Sequence, residues 1–227
     1  MSKVLVVAAH PDDEILGVGA TIAKRVAQGD ECHAIILGEG ITARGNSRGE
    51  FDGSEQTPLQ KNAIESAKII GYKSVKFYGL PDVRFDSLQL LDIVKIVQGV
   101  FFDIKPDVVY THHYADLNID HRYTYEAVLC ACRPVPGWYP KELLCFETPS
   151  STEWNFGRKE QNFAPNVFVD IEETLEKKLR AMECYESEIR EFPHPRSLEV
   201  LKAIAVKWGS TVGLKYAEAF EQIIKIC

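Results

Sequence analysis

The fold class of this chain is decided by the stretch KVLVVAA at residues 3–9, which runs directly into HPDDE at residues 10–14. A continuous apolar run of this length is typical of a strand that is buried on both faces of a parallel sheet. Helical spacing follows it, with one apolar face that carries Ile15, Val18, Ile22 and Val26. Gly29 then predicts the end of that helix. The opening residues therefore predict a strand followed by a helix.

The same alternation continues along the chain. Further strands are predicted at 31–37, 75–78, 107–111, 143–146 and 166–170, and further helices at 59–70, 90–101, 174–188 and 197–208. Strand and helix in this order indicate βαβ units, which build a mostly parallel central sheet with helices on both faces. Neither a repeat nor a linker interrupts the pattern, so we expect one α/β domain over residues 1–227.

The composition is that of a globular protein and excludes several classes of partner. The 227 residues are 45% hydrophobic and 26% charged, and 26 basic against 33 acidic residues give a net charge of −7. A chain this acidic, without a Lys/Arg run, gives no reason to expect nucleic acid or an anionic membrane as partner. No apolar stretch approaches the roughly 18–20 residues that span a bilayer. We expect a small-molecule substrate.

The cysteines and the amino terminus predict a cytoplasmic protein. Six cysteines are scattered through the chain without a CxxC pair, mostly in apolar segments, as expected of reduced thiols. The first residues lead into a strand without signal-peptide architecture. The sequence leaves open whether the chain is a monomer or a homo-oligomer.

Polar clusters follow two of the predicted strands. HPDDE follows the first strand, and His112 and His113 follow the fourth, with His121 a few residues further on. Ligands of open parallel α/β sheets bind beyond the carboxyl ends of the strands. Two histidines and a carboxylate are the ligand set of an open catalytic zinc site. The two clusters together therefore favour a metal site.

Each cluster also has a simpler interpretation. Residues 11–14 could start a helix, because Asp caps helices, Pro suits the first turn and acidic groups favour the positive end of the helix dipole. Any one of the three histidines could be a hydrogen-bonded loop residue. Dinucleotide, phosphate-loop and serine-hydrolase motifs are absent from the sequence.

Both clusters resemble the motifs of the PIG-L/LmbE-like zinc de-N-acetylases. AHPDDE at 9–14, with the glycines that follow it, resembles the first motif, and DLNIDH at 116–121 resembles the second. The resemblance implies a Rossmann-like fold and hydrolysis of an N-acetyl group from a substrate that contains glucosamine.

The resemblance also assigns roles to the residues of these motifs. It implies that His10, Asp13 and His121 bind Zn²⁺ and that Asp12 is the catalytic base. Asn118 occupies a position at which many members carry a histidine that stabilises the oxyanion. We expect His113 to take that role, because it lies furthest beyond the strand end, with His194 as second choice and His112 as a further candidate. Asn118 itself is a candidate substrate contact.

Other candidate substrate contacts lie in loops. Residues 38–56 form a long Gly-rich polar segment of the kind that is usually functional, and its TARG at 42–45 is similar to a substrate-contacting stretch of the family. We expect Arg44 and Arg48 from this segment, and Asp82 from LPD at 80–82, to contact the sugar. SSTEW at 150–154 and PHPRS at 193–197 look like motifs of a subgroup associated with surface-polysaccharide and amino-sugar metabolism.

The function predicted from these residues is removal of an acetyl group from an N-acetylglucosamine-type amino sugar or its conjugate. Two alternatives stay open: a metal-dependent amidase acting on a larger thiol-sugar or antibiotic amide, and a non-catalytic sugar- or nucleotide-binding module. Metal analysis separates the binding module from the hydrolases, and a substrate panel separates the two hydrolases.

Overall fold

The computed structural model describes residues 1–40, 57–135, 138–157 and 159–227, so Arg44 and Arg48 lie outside the described residues. The strands within this part are β1 Lys3–Ala8, β2 Glu31–Gly38, β3 Ser74–Leu80, β4 Val108–His112, β5 Glu142–Phe146, β6 Val167–Asp170 and β7 Ala217–Lys225. The α-helices are α1 Asp13–Leu16, α2 Gly19–Ala27, α3 Pro58–Ile70, α4 Leu90–Ile104, α5 Ile119–Ala131, α6 Leu175–Glu183 and α7 Leu198–Thr211.

All seven strands form one mixed sheet in the order β3-β2-β1-β4-β5-β7-β6. The first five strands of the chain run parallel to one another, and β7 is antiparallel to both β5 and β6. The predicted mostly parallel α/β sheet is confirmed. β1 lies between β2 and β4, which places the end of β1 beside the end of β4.

Helices cover both faces of the sheet, as predicted. Alternate residues of β1 point to opposite faces. Val4 and Val6 pack in the core formed with α1, α2, α3, α6 and α7, whereas Leu5 and Val7 pack in the core formed with α4 and α5. Because β1 is buried on both faces, its sequence is a continuous apolar run rather than an alternation of apolar and polar residues.

The predicted first helix is two helices in the structure, because the backbone leaves helical geometry at Val18, with φ −146° and ψ 8°. The residue before it packs closely against an aromatic ring. A Cβ at Gly17 would lie 2.1 Å from Cδ2 of Phe146, so the chain passes this ring too closely for a larger residue. Polar groups exposed by the break are satisfied by a buried ion pair: Lys178 donates to the Leu16 carbonyl at 2.7 Å, and Glu218 accepts the Thr21 N–H at 2.7 Å. The ion pair itself closes at 2.7 Å.

Two elements, α5 and β7, were not predicted. The sixth helix is also shorter than predicted and ends at Glu183 rather than near residue 188. All six cysteines are free thiols. Within the described residues, no helix is both long enough and apolar enough to span a bilayer.

Candidate functional site

The candidate site lies where β1 and β4 end side by side. The Ala9 N–H, just beyond β1, donates to Nε2 of His112, the last residue of β4, at 2.9 Å. This contact ties the two strand ends together. It also places HPDDE next to the amino-terminal turn of α5, which carries Asp120 and His121.

Three of the predicted site residues converge here. Nδ1 of His10 lies 3.5 Å from Oδ2 of Asp13, and Nε2 of His121 lies 3.4 Å from the same oxygen. One ligand atom from each residue falls within 4.8 Å of the others, and all three side chains are buried. The geometry therefore gathers two imidazole nitrogens and one carboxylate around a single point, as a metal ligand set requires.

The far nitrogen of each histidine meets a buried carboxylate. Nε2 of His10 lies 2.9 Å from Oδ2 of Asp120, and Nδ1 of His121 lies 3.1 Å from Oδ1 of Asp116. Carboxylates in this position fix the tautomer and the ring orientation of metal-binding histidines. Asp120 thus holds the ring of His10 by a hydrogen bond, and Asp116 is the charged neighbour of Nδ1 of His121. In both rings the other nitrogen lies toward Asp13.

The two carboxylates are themselves fixed by donors. Asp120 accepts the backbone N–H groups of Val83 and Phe85, at 2.6 and 2.9 Å. Asp116 accepts from the hydroxyls of Ser151 and Thr152, the latter at 2.6 Å. These bonds connect the candidate ligands to the loop after β3 and to the turn after β5.

A second group of potential ligands shares His10. Its Nε2, one oxygen of Asp82 and one of Asp120 also lie within 4.8 Å of one another. In this group, however, the Asp120 carboxylate already accepts two backbone N–H groups. The Asp13 carboxylate accepts only one backbone N–H, that of His10 at 2.8 Å, and its group supplies two imidazole nitrogens and one carboxylate, the donor set of an open zinc site, so it is the better metal candidate.

The charge of the cluster suits a cation. Burial lowers the pKa of His10, but hydrogen bonds that its ring donates to the carboxylates of Asp120, Asp13 and Asp82 raise it well above its usual value. Burial opposes ionisation of Asp13, yet His121 and His112 hold its pKa well below the usual range. Carboxylates buried at this density need compensating positive charge. Without a metal, protonated His10 and His121 provide part of it, since, against the effect of burial, neighbouring carboxylates raise the pKa of His10 and raise that of His121 to about 9. A divalent cation at this point would replace those protons.

Asp12 does not cap the helix that it precedes. Its backbone φ is 115°, and its side chain makes no capping hydrogen bond. The carboxylate instead accepts from Nη1 of Arg196 at 2.8 Å. Burial raises the pKa of Asp12 to about 8, against the opposing effect of Arg196 and with further contributions from Asp13 and Glu188. The structure thus gives no support to the capping interpretation of this residue.

Arg196 links three parts of the site. Besides Asp12, Nη1 contacts Oε2 of Glu188 at 2.9 Å, and Nε donates to the Ser150 hydroxyl at 2.7 Å. Sequence reasoning assigned no role to Arg196, Asp116 or Asp120. The available signals were the PHPRS and DLNIDH motifs in which these residues stand.

The candidate oxyanion histidines are placed differently from our expectation. His112, rather than His113, faces the cluster, and its ring stacks on His121 with 3.9 Å between centroids. Nε2 of His113 lies 3.3 Å from Glu221 of β7, and its ring packs edge-on against Phe163. Alternation along β4 sends the two neighbouring rings in different directions, so the structure does not bring His113 to the site.

His194 lies outside the ligand cluster. Its ring packs edge-on against Trp154 at 5.9 Å, and Nδ1 accepts the Arg196 N–H at 3.1 Å. Its visible role is to hold the backbone of Arg196.

An open cleft of about 160 Å³ leads to the cluster, and the described residues that line it are His10, Pro11, Asp12, Gly40, Asp82, Val83, Asn118, Glu188 and Arg196. Asp82 and Asn118, both predicted substrate contacts, are therefore in the cleft wall. Asn118 also caps α5, because its side chain accepts the Asp120 N–H at 2.9 Å.

Comparisons with known proteins agree with this geometry. Residues 5–132 match the family model described as PIG-L: GlcNAc-PI de-N-acetylase. The chain is 32% identical over 190 residues to the uncharacterised deacetylase YaiS of Escherichia coli, covering 81% of this chain and 90% of the relative. It is 28% identical over 232 residues to diacetylchitobiose deacetylase of Thermococcus kodakarensis, covering 96% and 82%.

The chain is also similar to a solved structure and to a relative that is named for a different reaction. The solved structure of the conserved protein TT1542 from Thermus thermophilus superposes with a TM-score of 0.77 at 26% identity, covering 100% of this chain and 97% of that one. The 4-oxalmesaconate hydratase of Pseudomonas putida is 25% identical over 236 residues, covering 96% and 88%. Similar chains thus carry the names of two different reactions.

Proposed function

Because this chain belongs to the PIG-L family, we propose that it is a zinc-dependent deacetylase that removes the acetyl group from an N-acetylglucosamine-type amino sugar or its conjugate. The family model matches more than half of the chain, and two of the similar proteins are named deacetylases. The substrate class follows from the family description and from the diacetylchitobiose relative.

One observation carries the proposal. His10 and His121 turn one nitrogen each toward Asp13, while Asp120 and Asp116 stand at their other nitrogens. A binding module without a metal has no use for two buried histidines that are oriented in this way by two buried carboxylates. An open cleft beside this group leaves room for substrate.

The chemistry divides between the metal and Asp12. A zinc ion at this site would supply Lewis-acid polarisation of the amide carbonyl and would make water more acidic. Asp12 lies in the cleft wall beside the ligand Asp13 and is free of any capping role. It takes a proton from the attacking water and returns that proton to the leaving amine. The products are acetate and the free amino sugar.

The cleft wall supports the binding of a sugar. Asp82 offers carboxylate oxygens to sugar hydroxyls, and Asn118 offers its side-chain amide. Arg44 and Arg48 remain predicted contacts outside the described residues. We keep the cytoplasm as the proposed location, and the oligomeric state stays open.

Two other reactions compete with this one. Hydrolysis of a larger thiol-sugar or antibiotic amide would use the same metal group with a different acceptor. Hydration of an unsaturated acid is a second candidate, because the chain is also similar to 4-oxalmesaconate hydratase.

Acetate release distinguishes these functions. The zinc-loaded protein is incubated with a panel of N-acetylated amino sugars, including N-acetylglucosamine and diacetylchitobiose, and the products are analysed by mass spectrometry. We expect loss of one acetyl group from at least one sugar and no product with the chelator-treated protein. Turnover of an unsaturated acid, with none on the acetylated panel, would overturn the proposal.

A further inference from the structure

Hydrolysis of an amide needs a hydrogen-bond donor for the carbonyl oxygen besides the metal. None of the expected histidines is placed to provide it. Both ring nitrogens of His112 are engaged, with the Ala9 N–H and with the Thr148 hydroxyl. His113 contacts Glu221, and His194 supports the backbone of Arg196.

Among the described residues of the cleft wall, Arg196 is a cation with hydrogen-bond donors that other side chains do not use. Arg196 uses Nη1 for Asp12 and Glu188 and uses Nε for Ser150. Its side chain is 22% exposed and lines the cleft together with His10. Within the described residues, no hydrogen-bond partner is found for Nη2. One edge of the guanidinium is therefore anchored, and its remaining two N–H groups are available to a ligand.

The backbone of Arg196 is as firmly held as its side chain. Its N–H donates to Nδ1 of His194, and the next residue, Ser197, caps α7. The guanidinium is thus fixed from both ends before substrate arrives. A donor that is already oriented needs no reorganisation when charge develops on the reacting oxygen.

We propose that Arg196 donates through Nη2 to the acetyl oxygen of the substrate and so fills the role for which the structure places none of the three candidate histidines. The inference rests on the proposed deacetylase function. Arg196 transfers no proton, because a guanidinium stays charged at all working pH values. Its permanent charge matches the negative charge that develops on the oxygen, which the neutral amide of Asn118 does not.

A double-variant comparison separates direct contact from action through Asp12. The probe is acetate, which carries the same carbonyl oxygen as the acetyl group. Its affinity is measured by calorimetry for zinc-loaded D12N, D12N/R196A, D12N/R196K and D12N/N118S. Because the D12N background removes the carboxylate that Arg196 holds, a remaining effect of Arg196 on acetate is not exerted through that carboxylate.

We expect R196A to weaken acetate binding in this background by about 10- to 100-fold, the size of one charge-assisted hydrogen bond. R196K should recover part of the loss, and N118S, which keeps a capping oxygen, should change the affinity less. Equal acetate affinities of D12N and D12N/R196A would overturn the inference. A larger loss with N118S would also overturn it and would give the role to Asn118.

Kinetics provide the second readout. In the otherwise native protein, R196A should lower kcat by about 10²–10³-fold with zinc content unchanged. If the wild type deacetylates the panel and R196A retains its kcat, the inference fails while the function stands. If the wild type releases no acetate, the proposed function fails; a weaker acetate affinity of D12N/R196A would then show that Arg196 binds a carboxylate, but the inference about the acetyl oxygen would fall with the function.

Discussion

Oδ2 of Asp120 lies 2.9 Å from Nε2 of His10, and the Asp120 side chain is completely buried. The same carboxylate accepts the backbone N–H groups of Val83 and Phe85. The loop after β3 therefore fixes Asp120, and Asp120 fixes the ring of His10. Asp120 does not line the cleft, yet it sets the orientation of the candidate ligand His10.

This relationship predicts a metal defect for D120N. Asn has one accepting oxygen where Asp120 has two, so its NH₂ group would face either the Phe85 N–H or the Val83 N–H and His10. His10 would therefore lose the carboxylate that fixes its ring. Loss of such a carboxylate typically costs 10–100-fold in metal affinity, and we expect about that loss in competition with a chelator. D103N changes an aspartate that is 71% exposed and should leave zinc affinity unchanged. Wild-type zinc affinity in D120N would contradict the assignment.

Substitution of Asp12 tests the proposed base. D12N keeps the size of the side chain but removes the proton acceptor, so turnover should fall by about 10²–10⁴-fold. The zinc content of the purified variant should stay at the wild-type level, because Asp12 is not a proposed ligand.

The capping interpretation predicts the opposite pattern for the same variant. A cap residue would leave turnover nearly intact and change stability by about 1 kcal/mol or less. Urea unfolding of D12N, read beside its turnover and zinc content, separates the two interpretations. Full turnover in D12N would remove Asp12 from the chemistry.

The close passage between α1 and α2 predicts that G17A is destabilising. The added methyl group would meet the ring of Phe146, a fully buried residue that packs against His112. Overpacking of this kind typically costs 1–3 kcal/mol, to be measured by urea unfolding. Gly99 in α4 is a matched control with open space at its Cβ. G99A should therefore stabilise the protein by about 0.5–1 kcal/mol.

The buried ion pair at the same break predicts a second stability effect. K178M would leave Glu218 without its cation and the Leu16 carbonyl without its donor. Breaking a buried pair by removing one partner typically costs 3–5 kcal/mol. The Lys68–Glu65 pair on α3 is exposed, so E65Q should cost less than about 1 kcal/mol. Equal effects of K178M and E65Q on the urea midpoint would show that the buried pair is not needed at the break.

Most of the sheet could be predicted because β1, most of β2 and β4 are buried under helices, which leaves apolar runs in the sequence. The edge strand β3 is only partly buried but keeps apolar residues such as Val75 and Phe77. β7 could not be predicted, because its buried residues include Glu218 and Glu221, which lie on opposite faces of the strand. Their partners, Lys178 and His113, come from distant parts of the chain. A local pattern cannot show that a charged residue has a buried partner.

The residues of the candidate site also fall into those that could be located from the sequence and those that could not. Residues that follow strand ends, such as His10 and His121, could be located because parallel strands end at one edge of the sheet. Arg196 could not, since it reaches Asp12 from a segment just before α7, 184 positions away. The choice of His113 over His112 assumed that β4 ends at residue 111, whereas β4 extends to His112, whose ring stacks on His121. Alternation then turns the ring of His113 away from the cluster.

Zinc content of the purified protein tests the proposed metal centre most directly. After loading with zinc and removal of excess, the wild type should retain about one zinc per chain by elemental analysis. H121A should retain far less, and its circular dichroism should stay near native, because the sheet carries the site whether or not a metal is bound. H33A serves as the control, since His33 contacts Glu31 and Ser74 away from the cluster. An H121A protein with full zinc content would contradict the assignment of the metal centre.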